Sequence, residues 1–374
     1  MQSAIFFLVA TEEQLQTARS VAAHLPASFV IDPYTGRAEL LDSHTTVTRP
    51  VKFRVTPQAI IRARLVVGRA FALAPASSSV LVIGQDIGYV ERAAVAAAQA
   101  RGARLILMPD GIVASKRVDG AGHRGLGAAA RNAIDRRLRT VRLLAGRRDE
   151  FGASGPCLVL SWGPGWESTW RTRCPGAEIL STGSPRADGY TTITQRPAVG
   201  NVLVCSQPLL LPPQLRTVKP QAESWYRWLT ELYEAGYPQL RIRLHPSERS
   251  DRYPLPSELI SLRSGPATPL LDDLRWADVV VAPFSSVLVE AMAAGRVPIA
   301  AGGTEVWGAF ADNAFLADPR VPTIDFRLRP TQNSLIERAE NAAALTESLR
   351  DEFLANLGSA ATAAAQAIRA HGEA

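Results

Sequence analysis

The stretch Trp276-Ala-Asp-Val-Val-Val-Ala-Pro-Phe-Ser-Ser-Val-Leu-Val-Glu-Ala-Met-Ala-Ala-Gly295 decides how the rest of the chain is read. Val279 to Val281 is a short run of β-branched residues without charge, the pattern of a strand buried on both faces. Ala282-Pro283-Phe284 ends it. Val287, Leu288, Ala291 and Met292 then recur at helical spacing, and Gly295 followed by Pro298 stops the helix. A strand, a tight turn and a helix opening on Ser285-Ser286 offers an anion unpaired N–H groups, a positive dipole end and two hydroxyls. The plainer alternative is that Ser285 only caps the helix.

Working outward, the same alternation recurs on both sides. Ile5 to Ala10, Ser28 to Ile31, Ser79 to Gly84, Arg104 to Met108, Leu158 to Ser161 and Glu178 to Leu180 read as strands. Helices are expected over Glu12 to His24, over Glu91 to Arg101 and from Trp166. Residues 113–148, basic and rich in alanine, read as one long helix with an irregular approach. Residues 33–58 are polar and without period, and His44 stands there alone. Thr191 to Gly200 reads as a linker. Beyond it, strands are expected at Asn201 to Cys205, Leu240 to Leu244, Glu258 to Leu262 and Val297 to Ala300. Helices fit Glu223 to Ala235, Pro269 to Arg275 and Ser334 to Ala370. Strands alternating with helices make parallel sheets covered on both faces. The expected fold class is α/β, two Rossmann-like doubly wound domains facing a cleft. The N-terminal domain is residues 1–198, the C-terminal domain 199–333, and a helix over 334–374 packs back on the first.

Composition narrows the function. Of 374 residues, 47% are hydrophobic and 20% charged, enough for large cores and against global disorder. The net charge of +6 rests almost wholly on arginine and suits phosphorylated substrates, nucleic acid or an anionic membrane. Because the basic residues are spread out, dense only over Arg131 to Arg148, no nucleic-acid partner is expected. Cys157, Cys174 and Cys205 form neither a metal pattern nor a disulfide framework, which points to a reducing, cytoplasmic setting. The apolar start lacks a basic flank and runs straight into Thr11-Glu12-Glu13, so it reads as a first strand. No stretch reaches membrane-span length.

In open α/β sheets, ligands sit beyond the carboxyl ends of the strands. In the second half those ends carry Ser206-Gln207, His245-Pro246 with Arg249, and Ser285-Ser286 with Glu290. An imidazole, a guanidinium, hydroxyls and a helix N-terminus hold a phosphate, and Glu290 can accept from two ribose hydroxyls. In the first half the ends carry Gln85-Asp86 and Asp110-Gly111, carboxylates that suit either a general base or a helix cap.

His245-Pro246, Ser285-Ser286 and Pro109-Asp110-Gly111, in their order, resemble the motif set of bacterial sialyltransferase-type GT-B glycosyltransferases, including polysialyltransferases and capsule Kdo transferases. Thr182 to Asp188 and Val279 to Ala291 resemble the CDP-glycerol glycerophosphotransferases. The resemblance spans residues from about 80 to 300. It implies that His245 contacts the donor phosphate and assists its departure, that Ser285 and Ser286 bind that phosphate, and that Asp110 deprotonates the acceptor hydroxyl. Pro109 stands where the family has a first acid, and Asp86 is the reserve base. The teichoic type has an Asp before its Ser pair where Ala282-Pro283 stands here, which favours a sugar donor.

The expected activity is metal-independent, inverting transfer of a sialic acid- or Kdo-like sugar from a CMP-activated donor to a glycan or lipid-linked acceptor in cell-surface polysaccharide synthesis. No cofactor or metal is expected. The segment around Arg136 to Arg148 suits an anionic acceptor chain or peripheral contact with the inner face of the membrane. Rival readings are a polyol phosphate transferase, a UDP-sugar 2-epimerase and a non-catalytic nucleotide-sugar binder.

Overall fold

A computed structural model describes residues 3–42, 45, 56–73, 79–111, 126–147, 151–193, 200–207, 219–236, 239–245, 263–264, 268–302 and 313–373. His44, Pro246, Arg249 and the expected strand Glu258 to Leu262 lie outside them. The chain divides into two compact units. One is Met1–Asp110 with Arg124–Asp188 and Ala355–Ala374; the other is Gly111–His123 with Gly189–Leu354.

The first unit is built on a seven-stranded sheet of order β3-β2-β1-β4-β5-β6-β7. Its strands are β1 (Ala4–Leu8), β2 (Ser28–Asp32), β3 (Arg37–Leu40), β4 (Ser79–Ile83), β5 (Arg104–Leu107), β6 (Leu158–Ser161) and β7 (Glu178–Ser181). Only β3 runs antiparallel. The interior strands are nearly continuous apolar runs because helices cover both faces. Ile5, Phe7 and Val9 meet Leu15 and Val21 of α1 (Glu12–Ala22) and Ala364 and Ile368 of α10 (Ala360–Glu373) in one core. Phe6, with the opposite parity, stacks on Phe71 of α2 (Pro57–Leu73) at 4.7 Å between centroids. The other helices of this unit are α3 (Tyr89–Gln99), α4 (Leu126–Thr140) and α5 (Glu167–Arg173). Thr11 caps α1 by accepting the Gln14 amide at 3.2 Å, with Glu12 and Glu13 in the first turn.

The second unit has a six-stranded parallel sheet, order β10-β9-β8-β11-β12-β13. Its strands are β8 (Val202–Cys205), β9 (Leu240–Arg243), β10 (Arg263–Ser264), β11 (Val279–Ala282), β12 (Val297–Ala301) and β13 (Thr323–Ile324). Helices α6 (Lys219–Glu234), α7 (Leu270–Trp276), α8 (Val287–Ala293) and α9 (Gln332–Phe353) accompany them.

Three features differ from the sequence reading. The polar stretch from residue 33 contains the edge strand β3, and α2 follows it. The expected helix from Ser334 to Ala370 is two helices, broken over residues 354–359, where Asn356 and Gly358 take left-handed φ of 48° and 87°. Asp188 starts the second by accepting the amides of Gly358, Ala360 and Ala361 at 2.9–3.0 Å. The break divides the C-terminal segment, α9 lying in the second unit and α10 in the first. Gly183 makes the join possible, since a Cβ there would lie 2.1 Å from the Ala355 carbonyl oxygen.

Candidate functional site

In the second unit the sheet order reverses between β8 and β11, the position where open α/β sheets bind ligands. Cys205 pairs with Arg243, and Ser206 donates its amide to the Arg243 carbonyl at 2.8 Å, so Ser206-Gln207 and Leu244-His245 leave the sheet side by side. Val281 pairs with Val204, which carries Pro283-Phe284-Ser285 off the sheet at the same level. Ser206, Gln207, His245, Ser285 and Ser286 thus belong to one edge of one sheet.

The two serines are not equivalent. Ser285 Oγ accepts the Val287 amide at 3.3 Å and behaves as the helix cap. Ser286 holds the N-cap position by backbone, with its hydroxyl making no capping bond. Glu290 is buried, 4% exposed, and Tyr190 Oη donates to its Oε2 at 3.5 Å. Tyr190 lies a hundred positions away in a polar stretch, and nothing local in the sequence signals this contact.

Beneath this edge sits an ionic network that sequence reasoning did not find. Asp273, fully buried, receives Arg241 Nη1 at 2.8 Å, Arg243 Nη1 at 2.6 Å and the Ser264 hydroxyl at 2.9 Å. The guanidinium of Arg241 lies 4.3 Å over the Trp276 ring. The alternating arginines of β9 therefore brace the sheet, and Arg243 is already engaged.

In the first unit the order reverses between β1 and β4, and Asp110 follows β5 beside that point. Gln14 Nε2 donates to Asp110 Oδ2 at 2.5 Å, while Gln14 Oε1 accepts the Ala10 amide at 2.7 Å. The second bond fixes the amide orientation, so the first must be a donation to the carboxylate. Gly84 permits the close packing: a Cβ there would lie 3.1 Å from Gln14 Nε2 and 3.3 Å from Asp110 Oδ2. Burial pushes the Asp110 carboxyl above the usual range, and the Gln14 bond and the Arg186 charge only partly offset it. Among the described residues no side chain bonds its Oδ1. Gln14, Asp110 and Gly84 line a cavity of about 10 Å³, room for about one water. Pro109 offers its carbonyl to Trp162 Nε1 at 2.9 Å.

Asp86 is placed differently. It is 1% exposed, and its two oxygens accept the amides of Gly152 at 2.8 Å and Ser154 at 2.9 Å. This carboxylate closes the 151–155 turn, a structural task that the reserve assignment as base did not anticipate. The three cysteines are free thiols, and among the described residues no group of His, Cys, Asp and Glu is arranged to hold a metal. No helix of the described residues is long and apolar enough to cross a membrane.

No family model matches the chain, and no curated protein matches it by sequence. Solved structures do. A candidate UDP-N-acetylglucosamine 2-epimerase from Listeria monocytogenes superposes with a TM-score of 0.56 at 12% identity, over 99% of this chain and 96% of that one. The wall teichoic acid polymerase TagF, in a crystal soaked with CDPG, gives 0.56 at 13% over 99% and 88%. MnaA of S. aureus, in its co-structure with UDP, gives 0.55 at 9% over 96% and 94%. The fold is GT-B. At these identities the likeness extends to the two-unit architecture and no further.

Proposed function

We propose that the chain is a glycosyltransferase using a nucleotide-activated donor, with its phosphate site at the reversal of the second sheet. The observation carrying this is the register of β8, β9 and β11, which brings Ser206-Gln207, His245 and Ser285-Ser286 to one edge. His245 and the Ser286 hydroxyl bind the phosphate, and Glu290, braced by Tyr190, accepts from the ribose hydroxyls. Gln207, Pro246 and Arg249 complete the donor site in this reading. Asp110 takes the proton of the acceptor hydroxyl, whose oxygen attacks the donor carbon as the bond to phosphate breaks. A carboxyl raised by burial is better matched to that task at neutral pH than an ordinary one. Charge growing on the departing phosphate is met by His245 and the serine hydroxyls, which supply without a metal the stabilisation needed there.

The motif order favours a CMP-linked sialic acid- or Kdo-like donor and a glycan or lipid-linked acceptor at the cytoplasmic side of the envelope. The UDP-bound and epimerase-like neighbours support a second reading, a UDP-sugar enzyme, and TagF with CDPG keeps a polyol phosphate donor in view.

Calorimetry against CMP, CDP, UMP and UDP, with and without chelator, separates these. Cytidine nucleotides are expected to bind without metal, and His245→Ala and Ser286→Ala each to weaken binding about tenfold to a hundredfold, the loss of one hydrogen bond to a charged group. Binding of UDP alone moves the UDP-sugar reading ahead. Nucleotide binding indifferent to both substitutions removes the site from this edge.

A further inference from the structure

The outer surface of the first unit carries a feature that nucleotide transfer does not use. Helix α3 is buried along Val90 to Ala98, wrapped by its neighbours. Arg92, fully buried, binds Asp135 of α4 through Nη1 at 2.6 Å and caps the Ala145 carbonyl through Nε at 2.7 Å. Arg64 of α2 donates to the carbonyls of Arg142 and Leu143 at 3.2 and 3.4 Å, which sets the end of α4 beside α2. Both helices therefore pack inward through other residues and leave outer faces behind.

Those faces are apolar where solvent-facing helices are polar. Ile61 and Leu65, one turn apart on α2, are 56% and 59% exposed; Ile134 and Val141, two turns apart, are each 57% exposed. Arginine surrounds them: Arg62 and Arg69 on α2, and Arg136, Arg137 and Arg142 beyond. Over residues 57–73 and 126–147 the sequence has one acid, Asp135, and it is buried against Arg92. The exposed charge of the two helices is thus of one sign. Thr35, Gln58, Arg62 and Arg69 line a groove of about 330 Å³ together with Ile61 and Leu65.

The geometry points to α2 and the end of α4 as a plate that lies on an anionic phospholipid bilayer. Ile61, Leu65, Ile134 and Val141 enter the headgroup layer, and the arginines pair with lipid phosphates. A soluble polyanion is matched by the arginines alone and gives no account of four large apolar side chains held in water. Charge complementarity selects an anionic membrane over a neutral one. This assignment is independent of the donor chemistry.

Vesicle co-sedimentation of the full chain tests it, with phosphatidylcholine alone against phosphatidylcholine mixed with phosphatidylglycerol. The chain is expected to pellet with the anionic vesicles at low salt and to be released by high salt. Arg62→Gln with Arg69→Gln is expected to weaken partitioning about thirtyfold, roughly fivefold per arginine. Ile61→Asp with Leu65→Asp, and separately Ile134→Asp with Val141→Asp, are each expected to abolish pelleting while melting temperature and nucleotide binding stay unchanged. Absence of pelleting with anionic vesicles overturns the proposal. So does pelleting that survives both aspartate pairs, which would leave the four apolar side chains out of the contact. A wild-type dimer in light scattering that the aspartate pairs dissociate would assign the plate to self-association instead.

Discussion

Replacing Asp86 by alanine separates the two roles open to a carboxylate at a strand end. In the structure its oxygens satisfy the Gly152 and Ser154 amides from a 1%-exposed position. Deleting the acceptor leaves two buried N–H groups, each costing about 1–3 kcal/mol. The turn cannot easily reorient to compensate. Gly152 and Gly155 hold φ of 84° and 72°, and a Cβ at Gly152 would lie 2.5 Å from Cys174 Sγ. A water entering the space left by the carboxylate recovers part of the loss, so about 3 kcal/mol is expected. For a unit of this size that lowers the melting temperature by about 6–12 °C. Asp86→Asn restores little, because an amide presents one acceptor and turns its NH₂ toward the second N–H. With two units the chain need not unfold in one step, so hydrogen exchange at Gly152 and Ser154 is the sharper assay. Both amides are expected to lose protection in the alanine variant while the second unit keeps its own. A variant that melts with wild type and keeps both amides protected, yet loses turnover, would refute the reasoning and return Asp86 to the chemistry.

Two further predictions follow from buried charge. Arg92→Met leaves Asp135 buried with only Arg139, whose Nε lies at 3.1 Å but whose side chain is 35% exposed, so a loss of about 3–5 kcal/mol is expected in denaturant unfolding of the first unit; a loss below about 1 kcal/mol would mean that Arg139 replaces it. Asp110 has a carboxyl raised by burial, so its contribution to stability is fully present below the ordinary carboxylate range and is lost as pH rises through the raised value. Asp110→Asn, which cannot ionise and still accepts from Gln14, is therefore expected to melt above wild type at neutral pH and together with it in acid; melting below wild type at neutral pH would contradict the direction of the shift.

What the sequence shows and what it conceals divide along a physical line. Membership of a buried parallel strand is a local property: Val279 to Ala282 and Val80 to Ile83 are apolar without interruption because both faces are covered, and a short window suffices to see it. The polar ends of those strands are legible for the same reason, so the sequence alone points to Ser206, His245 and Ser285 at one sheet edge. The role of a titratable group is not local. Asp86 and Asp110 look alike in sequence, each just past a strand. They part only through Gly152 and Ser154 for one and Gln14 for the other, partners 66, 68 and 96 positions away. Arg241 and Arg243 alternate like a solvated strand face until Asp273 closes on them. Helix α2 escaped notice for a third reason. Its apolar residues run around the cylinder, Val66 and Val67 inward and Ile61 and Leu65 outward, which blurs the 3.6-residue period that marks a helix half in water. A helix apolar on two faces has two apolar surroundings to satisfy. The sheet supplies one of them, and the proposal of a bilayer at Ile61 and Leu65 answers for the other.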